Sequence, residues 1–431
     1  MPAWGETFEE VAVDRAEVSF DASASRPRWR RQTFRALRNR NYRLFWTGSF
    51  LSNIGTWMQS VAQGWLVLQL SNSPFWLGFV GFAGSLPVLA FALVGGVVAD
   101  LFDRRRLLLL TQTALMLLAV GLGTLTELRV VTVGHIVVIA LLSGVMTALT
   151  LPTYQAIVRD LVEPEDLMNA IALNSIQFNL SRVIGPTLAG FAVGAIGVAG
   201  CFYLNAVSFL ALIFALRRIR LPQAFGAPKA NSLWEGFLEG MAYVRAQGRI
   251  LRLLAIVAAI SLFGLPYITL LPIFARDILR CGATGLGYLM AASGSGAVLG
   301  ALVLARLGDF RSKGTLAILG GITFGLSTLG FALSRTFDLS LFFLFLDGWA
   351  MVSSAAVVNT LLQTHVPGHM RGRVMSLYTL SFMGLMPVGN LVMGSLAEWI
   401  GAPRALAIGG LVIAAFVAGL AASARDLWRL S

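Results

Sequence analysis

Charge is confined to short intervals along this chain, and the stretches between them run without it for some 20 residues at a time. A bilayer core of about 30 Å needs about 20 apolar helical residues to cross it. The pattern predicts twelve spanning helices, over 42–70, 75–99, 106–127, 131–156, 167–196, 199–216, 251–276, 284–306, 314–335, 338–362, 373–399 and 402–424. The connections are short except the middle one. That one carries Arg217, Arg218, Arg220 and Lys229, then an amphipathic stretch from Trp234 to Val244 able to lie along a membrane surface. The expected division is a cytoplasmic, partly disordered segment at 1–41, a six-helix bundle at 42–216, a cytoplasmic linker at 217–250, a second six-helix bundle at 251–424 and a cytoplasmic tail at 425–431.

Composition narrows the class. Of 431 residues, 57% are hydrophobic and 13% charged, against about 45–50% and about 25% in soluble domains. An all-α membrane protein follows. A soluble enzyme, a secreted disulfide scaffold, a collagen-like chain and a disordered hub are excluded. The net charge of +12 would point to nucleic acid in a soluble protein, but its placement says otherwise. Loops on one side hold Arg129, Arg276, Arg280, Arg335 and Arg404, and Arg182 lies within a span, which leaves 27 of the 33 Lys and Arg on the other side. Basic residues stay in the cytoplasm, so both termini are expected inside, in the plasma (inner) membrane, with no nucleic acid as partner.

The N-terminal segment runs from acidic (Glu6, Glu9, Glu10, Asp14, Glu17) to basic (Arg26, Arg28, Arg30, Arg31, Arg35, Arg38, Arg40). No apolar stretch precedes the first span, so it is not read as a signal peptide. Cys201 and Cys281 are far apart and read as packing residues. No metal spacing, phosphate-binding loop or serine-nucleophile elbow is present. No cofactor, metal or catalytic residue is expected, and the chain is not read as an enzyme.

The two halves can be laid over each other. With an offset of 204, Gly185 meets Gly389, Gly190 meets Gly394, and Ile196-Gly197 meets Ile400-Gly401; with an offset of 209, Leu77-Gly78 meets Leu286-Gly287 and Asp100 meets Asp309. Two six-helix units in the same orientation fit a parallel repeat about an axis along the membrane normal, and such units can rock around a shared midplane site.

Two loop and helix motifs add to this. After the second helix the chain reads Gly96-Val97-Val98-Ala99-Asp100-Leu101-Phe102-Asp103-Arg104-Arg105-Arg106, and the fifth helix carries Gly185-Pro186-Thr187-Leu188-Ala189-Gly190. Proline removes a backbone donor and bends a helix; small residues at fourfold spacing make a face for close packing. The first motif resembles the G-x-x-x-D-x-x-G-R-R loop of the major facilitator superfamily, through Gly96, Asp100, Arg104 and Arg105. Asp103 stands at the second glycine, as in the exporter branch that includes the enterobactin exporter and macrolide efflux proteins. Its second-half counterpart is degenerate: Ala305, Asp309, Arg311, Lys313. The resemblance implies the major facilitator fold. It also implies that Gly96, Asp100, Arg104, Arg105, Asp309 and Arg311 form a conformational gate holding the halves together on the cytoplasmic side. The second motif resembles the superfamily's antiporter motif through Gly185, Pro186 and Gly190, which implies export. The arginine that drug–proton antiporters often carry in the fourth helix is missing.

Charge within a span is costly and usually functional. Asp347 lies about nine residues, roughly 13 Å at 1.5 Å per residue, from the end of the tenth span, and Arg182 lies mid-span in the fifth. The resemblance implies that the tenth helix lines a central cavity and the fifth borders it. A carboxylate in a half-dry cavity suits proton binding, so Asp347 is expected to carry a coupling proton, with Arg182 as its electrostatic partner or as a contact for a substrate anion. A static pair and a brace for the fifth helix remain open. Glu398, near a span end, weighs less. Asn53, Thr56, Ser60 and Gln63 share one face of the first helix, with Gln59 beside it. Ser175 and Asn179 share the face of Arg182, Tyr154 and Gln155 end the fourth helix, and Asn359 sits opposite in the repeat. All are candidates for lining a wet cavity, with interhelical hydrogen bonding as the other reading.

The function expected is secondary active export of a small, partly apolar organic molecule (a drug, siderophore or metabolite), by proton antiport with alternating access. An uncoupled facilitator or importer, or a non-transporting receptor on the same fold, stays open. Partners are the small-molecule substrate, protons and the lipid bilayer, and the chain is taken as a monomer.

Overall fold

A computed structural model describes residues 34–219, 233–307, 310–424 and 427–429, and the side chains of these apart from 92–101, 233–237 and 429. Among the described residues there are helices and no strands. The helices long enough to span are α1 (Arg40–Ser71), α2 (Pro74–Leu101), α3 (Arg104–Glu127), α4 (Val133–Leu161), α5 and α6 (together Leu167–Arg218), α7 (Gly248–Ile278), α8 (Gly282–Leu307), α9 (Lys313–Leu333), α10 (Phe337–His365), α11 (Gly368–Ile400) and α12 (Ala402–Ser423). All but α1 are apolar enough to cross a membrane on length and composition. α1 falls short because its 32 residues include Asn53, Thr56, Gln59, Ser60 and Gln63. The linker helix Leu233–Ala246 lies before α7. The runs predicted at 1–33, the linker's Arg220 and Lys229, and Asp309 lie outside the described residues.

The helix ends differ from the sequence pattern in instructive places. α4 continues past Pro152 to Leu161, and α11 begins at Gly368. The fifth and sixth spans are not separated by a loop. The helix turns over at one residue, Gly197, whose φ of 72° an L side chain would strain to adopt. Its repeat counterpart Gly401, with φ 87°, makes the same turn between α11 and α12. α7 is irregular: π-helical turns at Ile260–Gly264 and Phe274–Ile278 flank a stretch with Pro266 and Pro272. Irregular backbone in a span is tolerated where it faces protein or a wet cavity.

Packing repeats between the halves. α2 packs on α4 as α8 packs on α10, α3 on α6 as α9 on α12, and α3 on α4 as α9 on α10. Across the halves, α2 meets α11 and α5 meets α8. The largest buried side chains, among them Phe202, Tyr267, Phe274, Phe324 and Phe331, fill the bundle interiors.

Candidate functional site

The cross-half hydrogen bonds and the closest backbone approaches lie toward the end of the molecule opposite the termini, here the far end. Small residues make them. A Cβ at Gly190 on α5 would stand 2.9 Å from the Ala283 carbonyl oxygen and 3.0 Å from the Gly287 Cα on α8. A Cβ at Gly394 on α11 would stand 2.8 Å from the Gly78 Cα on α2. The repeat equates Gly78 with Gly287 and Gly190 with Gly394, so these are one contact made twice, once on each side of the axis. Hydrogen bonds add to them. Glu398 accepts from Ser73 Oγ (2.7 Å) and from the Phe75 N–H (3.1 Å) at the start of α2. Arg276 donates to the Leu68 carbonyl (2.9 Å) and to Asn72. Thr284 donates to the Gly190 carbonyl (3.4 Å). Glu398 thus bridges the halves, a role its span-end position could not show.

Behind this closure lies a cleft lined by Trp57 of α1, Arg182 and Pro186 of α5, Tyr267, Ile268 and Leu271 of α7, Met290, Ser293 and Gly294 of α8, and Met351 of α10. α5 enters it through the Gly185-Pro186 step. A Cβ at Gly185 would lie 2.6 Å from Trp57 Cβ and 2.7 Å from the Ile54 carbonyl oxygen, so α5 sits directly on α1. Pro186 has no N–H for the carbonyl of Arg182 four residues back. Tyr267 and Ser293 share a hydrogen bond of 2.6 Å.

The two intramembrane charges are not paired. Asp347 is 1% exposed and faces α9: its Oδ1 accepts from Ser327 (2.9 Å) and Thr328 (2.8 Å). Its Oδ2 is buried with no partner among the described residues. Arg182, half-buried, faces α7 and α8 from α5. No ion pair joins them, so of the roles expected for Arg182 a direct salt bridge to Asp347 is not seen among the described residues. The reason is direction: α10 presents position 347 to its neighbour α9, inside helices α7–α12. Tyr267 is their shared neighbour, within electrostatic reach of both.

The polar residues of α1 divide. Thr56 and Ser60 are exposed and return their hydroxyls to the carbonyls of Ser52 (3.0 Å) and Thr56 (3.1 Å); Asn53 and Gln63 are half-buried. Gln59 accepts from Asn205 Nδ2 (2.6 Å) on α6, an interhelical hydrogen bond. Tyr154 points inward, to Gln177 Oε1 (3.3 Å), with its ring against Phe45, whereas Gln155 is exposed. On α5, Ser175 and Asn179 are exposed and bond within their own helix. Asn359 accepts from Gln363 (2.7 Å) on α10.

At the opposite, near end, Arg104 holds Asp160 at 2.8 Å, and Arg105 donates to the carbonyls of Leu216 and Arg217, both at 2.7 Å. Asp103, at the departed glycine position, caps α3 through the Arg106 N–H (2.7 Å). These contacts stay within the first half. Gly96 and Asp100 lie in α2 with side-chain positions outside the described set, and Arg311 is exposed.

The pattern of the sequence did not single out Trp57, Tyr267, Ser293, Met290 or Met351. The signal for Tyr267 was present, in the glycine and two prolines that interrupt one span.

A family model described as transmembrane secretion effector matches residues 31–427. The staphyloferrin A transporter of Staphylococcus aureus is 26% identical over 85% of this chain and 92% of its own. The multidrug efflux pump Tap of Mycolicibacterium fortuitum is 29% identical over 80% and 86%. The enterobactin exporter EntS of Shigella flexneri is 26% identical over 82% and 84%. Among solved structures, a bacterial homologue of the human lysosomal transporter Spinster superposes with a TM-score of 0.69 at 15% identity, over 91% of this chain and 96% of that one.

Proposed function

The chain belongs to the transmembrane secretion effector family of the major facilitator superfamily, and from that premise we propose that this multi-pass membrane transporter expels a small, partly apolar organic molecule in exchange for protons, by alternating access. Its family and relatives are transporters and not enzymes. The observation that carries the reading is the one-sided closure. Between described residues, every hydrogen bond joining α1–α6 to α7–α12 lies at the far end, in front of the cleft. Backbone-to-backbone contacts of this kind come apart as a unit, since packed interfaces are bistable rather than deformable.

We take the far end as outside, on the distribution of Lys and Arg, and 42–216 and 251–424 as the two bundles that move. The state described then opens to the cytoplasm, where substrate is loaded. The Asp100–Arg105 segment, where Arg104 bonds to Asp160 and Arg105 to the end of α6, would close the near end in the other state. The proton is assigned to Asp347, whose Oδ2 is free to hold it. Proton and substrate compete through Tyr267, the neighbour Asp347 shares with Arg182. Each shifts the equilibrium only by its differential affinity for the two states.

The test is transport in proteoliposomes loaded with a pH-sensitive dye, over a panel of siderophores, macrolides and cationic dyes, with Asp347→Asn beside the native chain. A compound that drives proton movement through the native chain, with coupling lost but binding kept in Asp347→Asn, is the expected result. Movement without protons, or normal coupling in the variant, overturns the proton assignment. The first of these leaves an uncoupled facilitator.

A further inference from the structure

The cleft holds a charge without a counter-charge. Arg182 is the single charged residue among its lining residues, and no carboxylate stands within ion-pair distance of it among the described residues. Asp347, the other charge within a span, accepts from Ser327 and Thr328 on α9. A guanidinium inside a span normally pairs with an acid, a backbone carbonyl or water, because leaving it bare is costly. The rest of the cleft supplies hydrogen-bond donors and apolar surface. In the Tyr267–Ser293 hydrogen bond one hydroxyl donates to the other, which leaves the second proton to offer to an acceptor. Trp57, Met290, Met351 and Leu271 form the greasy walls, and thioethers adapt to irregular shapes.

We propose that the transported substrates are organic anions, with a carboxylate or comparable anionic group on Arg182 and the Tyr267–Ser293 hydroxyls, and an apolar or aromatic body against Trp57, Met290 and Met351. This rests on the export reading above and names its substrate class. The Arg182 fork can take a carboxylate through two parallel hydrogen bonds, a geometry a lysine cannot reproduce. One anion out for one proton in moves two positive charges inward, so flux should rise with an inside-negative potential as well as with the proton gradient.

The experiment uses the full chain in lipid nanodiscs and three probes on one scaffold: 2-naphthoate, 2-naphthamide and 2-naphthylmethylammonium. The expected result is naphthoate bound at least about tenfold more tightly than the other two. Arg182→Met should weaken naphthoate about 10- to 100-fold, the range for hydrogen bonds to a charged group, and leave the amide nearly unchanged, with Arg182→Lys between. If Arg182→Met fails to fold, Met351→Glu carries the test. A carboxylate placed in the cleft should neutralise Arg182 and weaken naphthoate to about the level of the amide. The proposal is overturned if none of the probes binds, if the amide or ammonium binds as well as naphthoate, or if the variants leave the preference unchanged. Flux separates it from the export reading. Proton-driven movement of ethidium without discrimination for naphthoate would sink the anion site and keep export. Tight, Arg182-dependent naphthoate binding with no flux would do the reverse.

Discussion

At the far end of the molecule, Gly78 meets Gly394 and Gly190 meets Gly287 with backbones in contact across the halves; at the near end, Arg104 bonds to Asp160 and Arg105 to the end of α6, both contacts within one half. One end is closed by the absence of side chains and the other is braced by long charged ones. The difference sets what each can do. A glycine contact is all or none, because a single carbon between the backbones prevents it. An arginine contact can be exchanged for another acid or carbonyl as the helices tilt. Even along α5 the two kinds of work separate within five residues: Gly185 seats the helix on α1 and Gly190 seats it on the other half.

The largest effect should come from Gly190→Leu. Its Cβ would meet the Ala283 carbonyl and the Gly287 backbone, neither of which can move aside alone. Overpacking of this sort costs about 1–3 kcal/mol, enough to reverse a two-state balance. Flux should fall about tenfold or more, and an impermeant thiol reagent should label a cysteine at Ser293→Cys from the far side. Unchanged labelling would mean the glycine contact does not close this end. Gly185→Leu is the contrast. It strains the α1–α5 seat within one half, so the melting temperature should drop, by an amount equivalent to about 1–3 kcal/mol, without a change in which side labels Ser293→Cys. Labelling that shifted as in Gly190→Leu would erase the distinction between the two glycines.

Smaller effects should follow at the polar latch. Glu398→Gln keeps an oxygen for Ser73 but weakens the bond to the Phe75 N–H, a helix-start contact of the kind whose full removal costs about 0.5–2 kcal/mol. Far-side labelling should rise a few-fold, and an unaltered rate would remove Glu398 from the closure. Smallest of all is Asp160→Asn at the near end. Pairs that solvent still reaches, as it does these side chains at 21% and 20% exposure, contribute about 0–1 kcal/mol, so melting should change by a degree or two and far-side labelling by less than about twofold. A large labelling change there would show that the near-end arginines already bear on the balance between states in this conformation.

Much of the fold was legible in the residues because a spanning helix must satisfy its backbone internally and be apolar for its whole length. The repeat was legible for a related reason. Gly197 and Gly401 need a positive φ, and Gly78, Gly190, Gly287 and Gly394 need room for a backbone, and neither need tolerates a side chain. The site was less legible. Helical periodicity groups Asn53, Thr56, Ser60 and Gln63 on one face, but Gln59, one step away, belongs to Asn205, and Tyr154 belongs to Gln177.

What the residues alone determined is therefore the class, the helix count, the internal repeat and the positions of two charges within spans, since each follows from local geometry and the cost of charge in lipid. What only the tertiary structure decided is which neighbour each polar group faces. Asp347 turns into its own bundle toward Ser327 and Thr328, while Arg182 faces a cleft assembled from α1, α5, α7, α8 and α10. A polar side chain's partner depends on the rotation and approach of separate helices, and no local pattern encodes that.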